Sequence, residues 1–269
     1  MWRIIWFSCL LYCSPMSAVE LHKLADNSQG LSRYLLEFEH QGLHQYGLLI
    51  IGSEQGLENR DLVLLAHGFH PNPPMYGKTS PEISKRPGDY YRQWVEAYGL
   101  AGFNVLVPDY RGHNDSEGFE FTHQAGKYDF PERYYASDLI AAVSAFENYR
   151  GESLDNIVIA GHSMGAPIAF YAGNQLADKV RLVSLWSSAS YRFEQDKTTV
   201  TEVPFIIHHG VQDKTTPIQN SEYYRQQFPE LELYYGAYQS DKHMLSGKDF
   251  NDAMAIDIGY IKRFFKENK

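Results

Sequence analysis

The segment 161–165, Gly-His-Ser-Met-Gly, places a serine between two glycines, directly after the apolar run 157–160 and before an apolar stretch with helical character. A turn this sharp from strand to helix strains its central residue and leaves no room for side chains at positions 161 and 165. The hydroxyl of Ser163 then projects from the carboxyl end of the sheet, where open α/β sheets bind ligands. The segment predicts nucleophilic acyl transfer, provided that a base lies within hydrogen-bond distance of Ser163.

Two further segments follow predicted strands. His67-Gly68-Phe69 follows the run 62–66, and the segment 109–118 resembles the turn D-x-R-G-x-G-x-S. Asn114 stands where that pattern usually has glycine, and asparagine tolerates a left-handed backbone better than most residues. Together with the serine turn, these segments resemble the α/β-hydrolase superfamily, in its motif order, over nearly all of residues 32–268. The chain looks most like its small serine esterases and the catalytic domains of its prolyl-oligopeptidase-type peptidases.

The resemblance implies the chain order serine, acid, histidine, with the histidine in the loop after the last strand. Among the eleven histidines, only His243 lies beyond His209, which makes it the expected base. The segment that begins at His209 resembles H-G-x-x-D-x-x-x-P, which carries the acid in the superfamily, and Asp213 is its aspartate. Asp196, after the preceding strand, is the alternative acid. Asp241 is close to His243 in sequence, but a residue two positions away on one loop rarely faces the imidazole ring.

The resemblance also implies an oxyanion hole made of two main-chain N–H groups, those of Met164 and Phe69. Both donors belong to the backbone, so the identity of the side chains adds little support. Arg111 has two interpretations, as a clamp for an anion or as a buried partner of nearby carboxylates. The second is the more common role of an arginine in this turn.

Three other histidines lie where they could take part in catalysis or bind a metal. His162 adjoins the nucleophile, but neighbours in a tight turn point apart, so we expect it to serve in packing. His67 and His70 have a zinc-like spacing, yet no cysteine or paired set of ligands supports a metal there. We therefore expect no metal, and the proposed chemistry requires no cofactor.

The pattern of apolar residues predicts the strands and helices that position these residues. Apolar runs predict eight strands, at 34–39, 46–51, 62–66, 104–107, 157–160, 182–186, 205–208 and 231–235. Helical spacing predicts helices at 90–101, 132–149, 164–176, 217–228 and 250–268. An opening hairpin followed by alternating strands and helices indicates an α/β fold with one mostly parallel eight-stranded sheet and helices on both faces. We expect residues 19–269 to form a single domain.

Two structures that restrict access to the active site in related enzymes are not expected in this chain. The interval from Ser187 to Val203 holds 17 residues, too few for the helical cap that many relatives carry. The chain also has no room for the N-terminal propeller of oligopeptidases. The proline-rich segment 68–89 is therefore the expected wall or lid of the site. Aromatic residues expected at the same end of the sheet could line a pocket or serve in ordinary loop packing: Tyr76, Tyr110, Phe119, Phe121, Tyr191 and Phe193.

The favoured function is hydrolysis of small or medium carboxylic esters through an acyl-enzyme intermediate. Relatives that open epoxides or carbon–halogen bonds use an aspartate nucleophile, so Ser163 argues against them. An aminopeptidase or acyl-peptide hydrolase would use the same residues, but the sequence offers no evident carboxylate clamp for a peptide amino terminus. A non-catalytic binding protein on the same fold is the alternative from another class.

Composition bears on partners and compartment. The 269 residues include 24 Lys and Arg against 33 Asp and Glu, a net charge of −9, which disfavours nucleic acid and anionic membranes as partners. A small-molecule ester is the expected partner, and the oligomeric state is left open. Residues 1–18 resemble a cleaved export signal, with one arginine, an apolar run and small residues before Val19. Both cysteines lie in this leader. The alternatives to a cleaved signal are lipidation at Cys13 and a frayed or buried N-terminal segment.

Overall fold

The computed structural model describes residues 19–69, 91–118, 131–190 and 202–267. These residues form one sheet of nine strands. The strands are β1 (Glu20–Leu24), β2 (Ser32–His40), β3 (Leu43–Ile51), β4 (Asp61–Ala66), β5 (Asn104–Asp109), β6 (Asn156–His162), β7 (Val180–Trp186), β8 (Phe205–Gly210) and β9 (Glu232–Tyr238). The α-helices of the described residues are α1 (Arg92–Leu100), α2 (Glu132–Arg150), α3 (Gly165–Gln175), α4 (Gln219–Gln227) and α5 (Gly247–Glu267).

The sheet has the order β1-β2-β3-β5-β4-β6-β7-β8-β9. The first three strands form an antiparallel meander, and β3 also pairs antiparallel with β5. From β5 to β9 every neighbouring pair is parallel. The mostly parallel α/β sheet expected from the sequence is confirmed.

Helices cover both faces of the sheet because the central strands are apolar on both sides, as parallel strands between two helical layers must be. In β4, Leu62 and Leu64 pack with residues of α2 and α3, whereas Val63 and Leu65 pack with residues of α1 and α5. Every residue of β4 is buried. Two apolar cores, one on each face, therefore hold the sheet and fix the ends of its strands.

The sheet has one strand more than the sequence predicts. The additional strand, β1, pairs antiparallel with β2, and its residues are exposed or only half buried. Leu21 and Leu24 of this strand are partly buried against the two cores, but their spacing of three residues does not give the alternating apolar pattern of a strand. It forms because its backbone satisfies the open edge of β2, which is a tertiary effect.

The parallel strands direct four loops to one edge of the sheet. Residues 67–69 follow β4, Ser163 follows β6, Asp213 follows β8 and His243 follows β9. Between β7 and β8, the described residues 187–190 and 202–204 contain no helix, and residues 191–201 of this interval lie outside the described ranges. The turn after β5 contains Asn114 at φ 48°, a left-handed conformation that asparagine tolerates better than most residues.

Several expectations concern residues outside the described ranges. These are the leader at 1–18, the segment 70–90, which holds most of the expected lid, and the residues at 119–130 and 191–201. Among the residues that are described, no helix combines the length and the apolar character that crossing a membrane requires.

Candidate active site

Ser163 lies in a strained turn between β6 and α3. Its φ is 58°, a left-handed value that residues other than glycine rarely adopt. The glycines on either side permit the turn. A Cβ on Gly161 would stand 2.3 Å from the Gly165 carbonyl oxygen, and a Cβ on Gly165 would stand 2.0 Å from the Ala66 carbonyl oxygen. The expected lack of space for side chains at 161 and 165 is thus explained by contacts with main-chain atoms.

His243 lies between β9 and α5, and its ring connects the serine to Asp213. Its Nε2 is 2.9 Å from the Ser163 Oγ, and its Nδ1 is 2.8 Å from the Asp213 Oδ2. An ionised carboxylate only accepts hydrogen bonds, so Nδ1 carries the proton and Nε2 accepts the serine hydroxyl. The side chain of His243 is 24% exposed, whereas that of Asp213 is fully buried. The site is therefore open to solvent at the histidine and closed at the acid.

Asp213 is held by the turn that follows β8. Its Oδ1 accepts the main-chain amides of Thr215 at 2.8 Å and Thr216 at 3.1 Å, and its Oδ2 accepts the Thr216 hydroxyl at 3.0 Å. Burial raises the pKa of the carboxyl, but the hydrogen bonds from His243 and from the two amides outweigh burial and hold that pKa below its ordinary value. Asp213 is thus a carboxylate at neutral pH, with the charge needed to orient an imidazolium.

The loop after β4 passes directly beside the nucleophile. A Cβ on Gly68 would stand 3.0 Å from the Ser163 Cβ, so only glycine allows this approach. Phe69 is the next residue, and its side chain is 67% exposed. Met164 follows Ser163 at the start of α3. Both residues expected to supply oxyanion donors therefore belong to segments that flank Ser163.

The remaining candidates are the two alternative acids, Asp241 and Asp196, and the possible anion clamp, Arg111. Asp241 is exposed and lies 3.4 Å from the Lys242 ammonium, while Asp196 lies outside the described residues. Arg111 is buried and forms an ion pair of 2.7 Å with Asp138, so it has the structural role and not the anion clamp.

The structure decides between the two interpretations of Tyr110. Its side chain is fully buried and its hydroxyl donates to the His67 carbonyl at 3.1 Å, so it serves in packing and does not line a pocket. The ring of His67 stacks on that of Tyr110 with a centroid distance of 4.0 Å. Tyr110 therefore supports the loop after β4 from below. The other five aromatic residues of that set lie outside the described ranges.

The sequence predicts only a packing role for His162, but in the structure its ring also forms two hydrogen bonds. Its ring is buried, as expected, but its Nδ1 is 2.8 Å from the Tyr91 hydroxyl and its Nε2 is 3.0 Å from the His243 carbonyl oxygen. Its ring centroid is 4.7 Å from that of His243. Tyr91 and His162 are thus parts of the site that sequence reasoning missed. No local pattern links these two residues, which are 71 positions apart.

Among the described residues, one group combines histidine and carboxylates in a way that could hold a metal. It consists of Glu20, His22 and Glu37, whose ligand atoms lie within 4.8 Å of one another. His22 already lies 3.2 Å from Glu20 and 3.5 Å from Glu37. The group is on β1 and β2, in the antiparallel part of the sheet, so it does not belong to the Ser163 site.

Comparison with known proteins assigns the family. The family model described as alpha/beta hydrolase matches residues 63–246, more than half of the chain. The chain belongs to the alpha/beta hydrolase family. Comparison with curated proteins finds no match. The matched range contains Ser163, Asp213 and His243.

Solved structures resemble this alpha/beta hydrolase in fold. A dienelactone hydrolase from Anabaena variabilis has a TM-score of 0.65 and 16% identity, covering 87% of this chain and 98% of its own. An esterase from Pyrococcus furiosus has a TM-score of 0.66 and 15% identity, covering 92% and 99%. A serine hydrolase without a lid from Xanthomonas campestris has a TM-score of 0.57 and 12% identity, covering 93% and 95%. The neighbours show the shared fold, and the family supports an enzyme of the hydrolase class.

Proposed function

We propose that this alpha/beta hydrolase cleaves carboxylic esters with Ser163 as nucleophile, His243 as general base and Asp213 as the orienting acid. The observation that carries the proposal is the continuous hydrogen-bonded line from the Ser163 Oγ through the His243 ring to the Asp213 carboxylate, with distances of 2.9 and 2.8 Å. A nucleophile, a base and a group that orients the base are the parts that serine acyl transfer requires.

The chemistry follows from this line. His243 Nε2 takes the hydroxyl proton as the Ser163 Oγ attacks the ester carbonyl carbon, and the carbonyl oxygen becomes an oxyanion. The main-chain N–H groups of Met164 and Phe69 are the donors proposed to stabilise it. His243 then gives the proton to the departing alkoxide, which leaves an acyl group on Ser163. A water molecule, deprotonated by His243, releases the acid by the reverse sequence.

Two observations favour an ester as the substrate. The solved structures of similar fold include proteins named as an esterase and as a dienelactone hydrolase. The partial exposure of His243 and the exposed Phe69 side chain favour a site that small molecules reach from solvent. The small-molecule substrate expected from the sequence is consistent with the family. A peptide substrate has no comparable support.

Active-site labelling tests the proposal most directly. A fluorophosphonate should modify the chain at one peptide, the one that contains Ser163, and Ser163→Ala should abolish labelling. Ser144→Ala, which removes an exposed hydroxyl on α2, is the matched control and should label like the wild type. Absence of labelling in the folded wild-type protein would overturn the proposal.

A substrate panel separates the two kinds of hydrolase. Nitrophenyl esters of increasing acyl length should be cleaved, with kcat/KM far above that for aminoacyl anilides. If the anilides were the better substrates, the enzyme would be a peptidase on the same residues, and the ester assignment would be wrong.

A further inference from the structure

Three hydrogen bonds form a continuous line through the buried interior behind Ser163. The main-chain amide of Gly68 donates to the Tyr91 hydroxyl oxygen at 2.8 Å. The Tyr91 hydroxyl is 2.8 Å from His162 Nδ1, and His162 Nε2 is 3.0 Å from the main-chain carbonyl oxygen of His243. The line therefore runs from the loop after β4, through the nucleophile turn, to the loop that carries His243.

The outer two bonds have fixed directions, because the Gly68 amide can only donate and the His243 carbonyl can only accept. His162 Nε2 therefore carries a proton. Burial lowers the pKa of His162 to about 3, so the ring is neutral in the folded protein at physiological pH. In a neutral ring Nδ1 then carries no proton, and it accepts the hydrogen bond from the Tyr91 hydroxyl.

Packing leaves the line little freedom. The His162 ring centroid is 5.5 Å from that of Tyr91, 5.6 Å from that of Trp94 and 4.7 Å from that of His243. A Cβ on Gly68 would stand 2.7 Å from the Tyr91 hydroxyl oxygen. Tyr91, Trp94 and His162 are almost completely buried. Movement of any one member would thus disturb the others.

The line joins the three segments that the proposed reaction must hold in register. These are the loop with the Phe69 amide, the turn with Ser163 and the loop with His243. The carbonyl that His162 holds belongs to His243 itself, so this bond fixes the main chain from which the catalytic ring extends. A displacement of about 1 Å in such a group can lower a rate by about 10².

We propose that Tyr91 and His162 are positioning residues, which set the His243 main chain relative to Ser163 and the loop after β4. The inference rests on the proposed function, because it assigns these residues to that same site. Along the line, Tyr91 and His162 bond to each other and to main-chain groups, so they act on the reaction through the loops that they hold. Their loss should therefore lower the rate of acylation and leave substrate binding largely unchanged.

Four variants test the inference. Tyr91→Phe removes one hydroxyl and keeps the ring, and His162→Phe removes both hydrogen bonds of the imidazole. His162→Gln supplies an amide that can accept from Tyr91 and donate to the His243 carbonyl. Tyr224→Phe is the matched control, because Tyr224 is an equally buried tyrosine whose hydroxyl accepts a hydrogen bond from Ser188.

Three quantities are measured at a temperature where each variant is folded: kcat and KM for a short nitrophenyl ester, and the second-order rate constant of fluorophosphonate labelling. Tyr91→Phe should lower kcat and the labelling rate by about tenfold and His162→Phe by about 10², with KM within about twofold of the wild type. His162→Gln should recover part of the loss, and Tyr224→Phe should match the wild type in all three quantities.

The outcomes separate the inference from the proposed function. A folded wild-type protein that does not label overturns both. Labelling of the wild type, with unchanged rates in Tyr91→Phe and His162→Phe, overturns the positioning role alone. The same holds if His162→Gln is as slow as His162→Phe while Tyr91→Phe is unaffected, because packing would then explain the loss. If His162→Phe fails to fold, Tyr91→Phe decides, since it removes a single oxygen atom.

Discussion

At the scale of single residues, the reactivity proposed for Ser163 depends on a backbone conformation that the serine does not favour by itself. A residue held at positive φ costs about 1–3 kcal/mol and persists only when its surroundings fix it. Here the amide of Ser163 donates to the Trp186 carbonyl at 2.9 Å, and its carbonyl accepts the Ala189 amide at 3.0 Å. The neighbouring strand and its loop thus supply the bonds that keep the turn in place.

The first prediction concerns the three aligned residues. Ser163→Ala and His243→Ala should each lower kcat by about 10⁴ to 10⁶, and the double variant should be scarcely slower than either, because the residues act as a unit. Asp213→Asn should lower kcat by about 10² to 10⁴, since the carboxylate orients and stabilises the ring and does not bond to substrate. Steady-state kinetics on a nitrophenyl ester measure these effects. Near-full activity in Asp213→Asn would contradict the assignment of the acid.

The second prediction concerns pH and stability. Burial lowers the pKa of His162 from an ordinary 6.5 to about 3. Between these values the unfolded chain binds a proton at this residue and the folded chain does not, so stability is full above pH 6.5 and falls as the pH decreases. From pH 8 to pH 5, the loss from this one residue should be about 2 kcal/mol.

Urea unfolding at several pH values measures this dependence. The free energy of unfolding of His162→Gln should fall less steeply with decreasing pH than that of the wild type. His209, whose pKa is also lowered by burial, acts in the same direction and accounts for part of the slope that remains. Equal slopes in the two proteins would contradict the prediction.

At the scale of elements, the site depends on how closely α3 approaches β4. The first residue of α3, Gly165, lies against the Ala66 and His67 carbonyl oxygens, and this contact brings the start of the helix beneath the nucleophile. A helix N-terminus at this position favours the negative charge that develops during the proposed reaction.

Substitution of this glycine gives the third prediction. Gly165→Ala should lower the free energy of unfolding by more than about 3 kcal/mol, because its Cβ would overlap main-chain atoms that cannot move independently. Gly259→Ala is the control within α5, where a Cβ meets nothing within 4 Å. It should raise stability by about 0.5–1 kcal/mol through helix propensity. Thermal unfolding of both variants tests the contrast, and similar effects at the two positions would contradict it.

The fourth prediction concerns the attachment of α5 to the sheet. Asp257 is fully buried and accepts hydrogen bonds from the hydroxyls of Tyr98 in α1 and Ser184 in β7. Asp257→Ala would leave two buried donors unsatisfied and open a cavity, and should cost about 3–5 kcal/mol of stability. Asp252→Ala, at an exposed position of the same helix, should change the unfolding midpoint little. A mild effect of Asp257→Ala in urea unfolding would contradict the proposed attachment.

At the scale of the whole molecule, the parallel sheet between two helical layers gathers residues that are remote in sequence. Ser163 and His243 are 80 positions apart, and Asp213 and His243 are 30 apart. They meet because parallel strands place all their following loops at one edge, where ligands of open α/β sheets bind. We propose that residues 19–269 fold as one such domain, which is exported.

The fifth prediction concerns this export. The protein recovered from the exported fraction should begin at or near Val19, because residues 1–18 have the charge, apolar run and small residues of a cleaved signal. N-terminal sequencing and intact mass measure this. Leu10→Arg should interrupt the apolar run and block export. Exported material that begins at Met1 would contradict cleavage, and an acylated Cys13 would indicate a lipoprotein instead.

The sequence by itself determined the features that depend on local pattern. Short apolar runs and helical spacing located eight strands and five helices, and two glycines around Ser163 identified the strand-to-helix turn. His243 and Asp213 were selected by their place in the family order, and the structure brings both within hydrogen-bond distance of their expected neighbours. Local pattern is enough to locate the strands, the helices and the serine turn, because strand, helix and turn preferences are set within a few residues.

Tertiary structure alone decided the rest. The strand β1 pairs with the open edge of β2, and Tyr110 is buried against His67 and Tyr135, which are remote from it in sequence. The hydrogen-bonded line runs from Gly68 through Tyr91 and His162 to the His243 carbonyl. Its last bond joins His162 and His243, which are 81 positions apart in the sequence. Contacts of this kind depend on the three-dimensional register of separate loops, for which no short segment of sequence carries a signal.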